Sequence, residues 1–191
     1  MARNREFDVD EAVDRAMDLF WRRGYAATSL QDLLGELSIG SGSLYAAFGS
    51  KDKLYARALE RYCSLQAGGI AERLEGATEV RPAVREVLVE MAEADLADPE
   101  RGCLVVNAAT ERGGDPATVD RVAAAMRVLE SALAGALERA KARGELSPDK
   151  NPVELARFLT TFVQGLRVVG QAQLGRAFVE DAVSTALRAL D

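Results

Sequence analysis

Histidine is absent from all 191 residues, and cysteine occurs only twice, as Cys63 and Cys103. The first absence removes the imidazole general base and every His-ligated metal centre. The second, with the two thiols far apart in the chain, removes the paired-cysteine spacing of a zinc site. No metal or cofactor is therefore expected. Proline is scarce at five, and nowhere do apolar and polar residues alternate as in a half-buried strand. No apolar run nears the ~20 residues that cross a bilayer. The opening MARNREFDVDEAVD also lacks the apolar core of a secretory leader. A cytoplasmic chain without a membrane partner is the expectation.

What is present is helical periodicity. Val9, Val13, Met17, Phe20 and Trp21 form a stripe between Asp8, an expected N-cap, and Gly24, an expected C-terminal cap, predicting helix over 8–23. Thr28-Ser-Leu-Gln31 has capping-box spacing and opens a short helix at 29–37 along Leu30, Leu33, Leu34 and Leu37. A turn at 38–41 leads into barely two helical turns carrying Leu44, Ala47 and Phe48. Ser50 then caps a long helix reaching about Leu74, loosened at Gly68-Gly69. Val84, Val87, Leu88 and Met91 predict a fifth helix closed by Asp98-Pro99, and Cys103 to Arg112 a short sixth. Asp115-Pro116 and Asn151-Pro152 each pair a cap with proline at the first helical position. They start a seventh helix that runs to Gly144 and an eighth over 152–174, and a ninth spans 177–190. The fold class is all-α, with about nine helices.

A formal net charge of -6 argues against a surface that coats nucleic acid throughout. The charge is unevenly divided: residues 1–62 hold nine Lys/Arg against ten Asp/Glu, residues 63–191 fifteen against twenty. A locally positive N-terminal face fits that split, because charges beyond a Debye length of ~8–10 Å act weakly on a bound phosphate.

Within the N-terminal third, SIGSGSLYAAFGSKDK (38–53) is small, hydroxyl-rich and holds one carboxylate, Asp52. Two short helices joined by a turn and braced by longer ones have the geometry of a DNA-reading helix-turn-helix, which other helical hairpins share. The residue order is more specific. TSLQDLLGELSIGSGSLYAAFGSKDKLY resembles the N-terminal signature of TetR-type transcriptional regulators at Thr28, Gly42, Leu44, Tyr45, Phe48, Ser50, Lys51 and Leu54. Gly40 and Ala46-Ala47 depart from it, where a serine and a Tyr-His pair are usual. The resemblance implies a helix-turn-helix DNA-binding domain at 1–50, followed at 51–191 by a helical domain for effector binding and dimerisation.

Chemistry then distributes the parts. Gly42 lets a recognition helix approach the major groove; Ser41 and Ser43 reach base edges or phosphates, and Tyr45 reaches phosphate. Thr28, Ser50 and Lys51 stand at expected helix N-termini, where free amides and the dipole attract phosphate. Lys53, Arg3 and Arg5 add sequence-independent affinity. One such motif touches too little DNA for tight specific binding, so a homodimer on a two-fold double-stranded operator is expected. Helices 8 and 9 are its expected seam, where Gly165, Gly170, Ala182 and Ala186 permit close approach.

Tyr62, Met91, Cys103, Asn107, Met126, Phe158 and Phe162 are the expected lining of an apolar cavity for a small uncharged effector. Cys103, opening helix 6 beside Arg101, reads either as a thiol that senses electrophiles or oxidants or as a small buried hydrophobe. The function expected is a ligand-responsive DNA-binding transcriptional regulator, a dimeric repressor released by its effector. A helical enzyme built on Cys103 would lack a histidine partner; a scaffold with a vestigial DNA-binding motif is the remaining alternative.

Overall fold

Most helix starts fall where local caps put them. In the computed structural model, which describes residues 7–191, Asp8 accepts from the amides of Asp10 and Glu11 and opens α1 (Val9–Arg23). Gly24 closes α1 at a φ of 78°. Arg3 and Arg5 lie outside the described residues. The helices that follow are α2 (Leu30–Leu37), α3 (Ser41–Phe48), α4 (Lys51–Glu75), α5 (Val80–Ala97), α6 (Leu104–Glu111), α7 (Pro116–Ala142), α8 (Pro152–Gln171) and α9 (Arg176–Leu187), with a 3-10 turn at Arg188–Leu190. Ser50, Asp115 and Asn151 cap α4, α7 and α8 through their side chains, the last two with proline next in line. Among the described residues none of these helices is long and apolar enough to cross a membrane.

Two expectations need correction. The cap of α2 is Ser29, which forms its box with Asp32 rather than Thr28 with Gln31. Thr28 instead turns inward, fully buried, and its hydroxyl donates to the Gly24 carbonyl at 2.7 Å. Secondly, α4 runs unbroken through Gly68-Gly69, because a helix of 25 residues held by packing at both ends tolerates glycine at a cost of about 1 kcal/mol each.

The turn between α2 and α3 is tight. Ser38 adopts a left-handed conformation at φ 55°, and the Ile39 amide donates to the Leu34 carbonyl. Leu33, Leu44, Phe48, Leu54 and Phe20 then close a core beneath α2 and α3. This apolar cluster continues past residue 50, through Tyr55, Leu59 and Tyr62 of α4 to Leu104 and Ala108 of α6. A second cluster joins α5, α7, α8 and α9 around Leu88, Leu133, Leu137, Leu159 and Val183. At ~1.5–3 kcal/mol for each large aliphatic side chain removed from water, these two clusters dominate the stability.

Candidate functional site

The exposed face of α3 presents Ser41, Gly42, Tyr45 and Ala46, while Leu44 and Phe48 point into the core. Ser43 is half-buried, and the Tyr45 side chain is half exposed, the one bulky group on the outer face. A β-carbon added at Gly42 would meet nothing within 4 Å, so internal packing does not require glycine there. Gly42, in the first turn of α3, is therefore not a glycine demanded by packing within the protomer.

Around α3, the expected phosphate ligands divide. Lys53 is exposed at the first turn of α4, its amide donating to the Ser50 hydroxyl at 3.1 Å, and Ser50 is half-buried as that cap. Lys51 is committed: its ammonium donates to the Tyr25 carbonyl at 2.6 Å and lies 4.1 Å from the Tyr25 ring centroid. Burial holds its pKa below the ordinary lysine value, with Asp52 opposing. Thr28, buried under the α1–α2 turn, offers no side-chain atom to a phosphate.

A network that sequence reasoning missed fixes this turn. Tyr25 donates its hydroxyl to Asp52 at 2.7 Å, and Arg112, at the end of α6, donates to the same oxygen at 2.9 Å while stacking 3.8 Å over the Tyr25 ring. These hydrogen bonds, Tyr25 first and Arg112 second, hold the Asp52 carboxyl below the usual range. Glu111, its neighbour, accepts from the amides of Tyr25 and Ala26. No local signal pairs Glu111 or Arg112 with residues some eighty positions earlier.

The other end of α6 enters a cavity of about 660 Å³, its solvent mouth included. Tyr62, Met91, Cys103 and Met126 are among the residues that line it. Asn107 does not; it is half-buried and donates to the Arg101 carbonyl at 3.5 Å. Nor do Phe158, exposed on the outer side of α8, and Phe162, half-buried against the second apolar cluster; the two rings stack on each other at 6.1 Å. In their place α8 contributes Val163, Gln164 and Arg167, and α4 adds Cys63, Gln66 and Ile70. The sequence signals were the four-residue spacings Tyr62, Gln66, Ile70 and Val163, Arg167, the latter putting one cation on an apolar stripe.

Arg167 is buried and answered on several sides. It lies 3.3 Å from the buried Asp95 carboxylate, and donates to the Met91 carbonyl at 3.1 Å and to the Tyr62 hydroxyl at 3.0 Å. Tyr62 in turn donates to Cys103 Sγ at 3.6 Å. Arg101, expected beside the Cys103 thiol, instead covers Trp21 at 3.6 Å and pairs with Asp18. Trp21 also donates to the Gly102 carbonyl at 2.7 Å and meets the Tyr62 ring edge-on at 4.6 Å, joining α1 to the cavity wall.

Comparison with known proteins agrees with this architecture. The family model described as "Bacterial regulatory proteins, tetR family" matches residues 12–58, and "Tetracyclin repressor-like, C-terminal domain" matches residues 79–186. The uncharacterized HTH-type transcriptional regulator YezE of Bacillus subtilis (strain 168) is 35% identical over 195 residues, covering 100% of both chains. The HTH-type transcriptional repressor ComR of Escherichia coli (strain K12) is 32% identical over 177 residues, 87% of this chain and 80% of its own. A solved structure of the TetR family transcriptional regulator CifR, a cysteine mutant complexed with 26-bp double-strand operator DNA, superposes with a TM-score of 0.87 at 36% identity over 100% of each chain. Operator DNA was thus bound by a relative alike along its whole length. The chain belongs to the TetR family, and is a DNA-binding transcriptional regulator rather than an enzyme.

Proposed function

We propose that the protein is a cytoplasmic homodimeric repressor that leaves a two-fold operator when a small, largely apolar molecule enters the cavity beside α6. The observation that carries the reading is α6 itself, eight residues long, with Cys103 at its start in the cavity wall and Glu111 and Arg112 at its end gripping the α1–α2 turn. In this division of work residues 1–50 read DNA and 51–191 sense and dimerise. Ser41, Gly42, Ser43 and Tyr45 meet the groove and its phosphates; Ser50 and Lys53 add contacts at the start of α4. Gly42, unneeded by the fold, lets the DNA backbone come close.

The dimer seam follows from exposure. Phe158, Thr161, Gly165 and Val168 make an exposed stripe on α8, and Phe178 is exposed on α9. Gly165 stands in open space, whereas Gly170 is used inside the protomer, its Cα against Asp95, and Ala186 is buried there too. The seam therefore follows the outer stripe of α8 from Phe158 to Val168, together with Phe178 of α9.

A second reading of the signal rests on Cys103, whose sulfur lies in the cavity wall and would be alkylated by an electrophile admitted there. Cys63, in the same wall, is pushed up to about 11 by burial, and then by Cys103, which keeps its thiolate fraction small at neutral pH. Titration against double-stranded DNA from the chain's own upstream region tests the main reading. Two protomers per site, and affinity falling steeply with salt, are the expected result; a salt-independent or monomeric complex would overturn it.

A further inference from the structure

The hydroxyl of Tyr62 is a buried hydrogen-bond donor in the cavity wall that lacks a strong acceptor. Arg167 donates to its oxygen at 3.0 Å, leaving its proton to Cys103 Sγ at 3.6 Å. Sulfur is a weak acceptor and that separation is long, so most of the donor's capacity is unspent. Burial keeps the phenol protonated well above the ordinary tyrosine range, with the Cys103 thiol adding to the shift. The proton is therefore always there to give.

Arg167 is not the anion site it first resembles. Its charge faces Asp95 at 3.3 Å, and it also donates to the Met91 carbonyl and the Tyr62 hydroxyl. An anionic ligand would meet a pair that is already neutral, in a wall that is mostly apolar, with Ile70, Met126 and Leu129 among its side chains, where an added charge is poorly solvated.

Building on the reading that this cavity holds the effector, we propose that it selects a neutral, mainly apolar molecule carrying one hydrogen-bond-accepting oxygen, as in a ketone, ether or ester. That oxygen replaces the Cys103 sulfur as acceptor of the Tyr62 proton, while the hydrocarbon part lies among Ile70, Met126 and Leu129. Tyr62 is then the residue that determines specificity. The chain's one tryptophan, Trp21, sits 4.6 Å from the Tyr62 ring and reports occupancy by its fluorescence.

Acetophenone and ethylbenzene, alike in shape but for the carbonyl, are titrated into the full chain by Trp21 fluorescence, with benzoate as the anionic probe. Wild type is expected to bind acetophenone about tenfold tighter than ethylbenzene, the ordinary effect of one net hydrogen bond. In Tyr62→Phe the preference should vanish with ethylbenzene unchanged; in Cys103→Ala, which removes only the sulfur acceptor, it should persist. Equal binding of the two neutral probes, a preference lost in Cys103→Ala or kept in Tyr62→Phe, benzoate binding most tightly, or no binding by any probe would each overturn the proposal. Operator affinity measured in the same samples separates the two readings. Acetophenone that binds with this preference and leaves operator affinity unchanged removes the effector role and supports the selectivity.

Discussion

The Glu111 carboxylate accepts the backbone amides of both Tyr25 and Ala26, at 2.8 and 2.6 Å. It therefore caps the turn from which α2 and α3 are hung. Gly24 is part of the arrangement, because a β-carbon there would stand 3.1 Å from the carboxylate oxygens, at a positive φ of 78°. Glu111→Ala leaves both amides to water and should lower stability by about 1.5 kcal/mol, the lower end for hydrogen bonds to a charged group because the site is exposed. Urea unfolding of the two proteins measures it.

The two lysines of α4 should behave differently on DNA. Lys53→Ala is expected to weaken binding to all sequences alike and to reduce the slope of log affinity against log salt by about 1. Lys51→Ala removes a tether to the Tyr25 carbonyl, and should cost stability while leaving that slope nearly unchanged. Fluorescence anisotropy over a salt series, paired with urea melts, separates the roles.

Asp95 and Gly170 are packed too closely for any added carbon. A β-carbon at Gly170 would lie 2.5 Å from Asp95 Cβ, which is near the backbone of α5 and has no room to swing away. Gly170→Ala should therefore destabilise by about 1–3 kcal/mol despite its better helix propensity. Unchanged or raised stability would show that α5 and α8 separate easily here.

The same carboxyl gives the pH dependence its sign. Burial pushes Asp95 up to about 6 from its ordinary 3.8, Arg167 pulling it part of the way back. Between these values the folded chain keeps a proton that the unfolded chain has released, so this group's contribution to stability falls as pH rises. Wild type should lose stability relative to Asp95→Asn from about pH 4 to about pH 6, and hold a constant difference above that. Denaturant titrations of both proteins at several pH values give the curve; a wild type that instead gains stability relative to Asp95→Asn over this window would mean that Arg167 dominates.

How far the sequence was legible follows the range of each interaction. Asp8, Ser50, Asp115-Pro116 and Asn151-Pro152 act within one helical turn, and the structure uses each as read. Thr28 and Ser29 are adjacent hydroxyls, as Gln31 and Asp32 are adjacent partners, and only the path of the turn decides that Ser29 caps while Thr28 is buried. Phe158 and Phe162 differ from Val163 and Arg167 by the rotation of α8 about its axis, which packing against α5 and α7 sets. The tether of Lys51 is equally non-local: its partner is a carbonyl 26 positions away. The α6 grip was invisible because both of its ends act across the tertiary fold.

That grip is tested most directly by a double-mutant cycle read out as operator affinity. Ala125→Phe fills the cavity from α7 and mimics a bound effector. In the wild-type background it should weaken operator binding about tenfold. With Glu111→Ala already present, most of that loss should disappear, leaving a coupling energy of about 1 kcal/mol or more. Additive effects, within about 0.3–0.5 kcal/mol, would contradict transmission through α6.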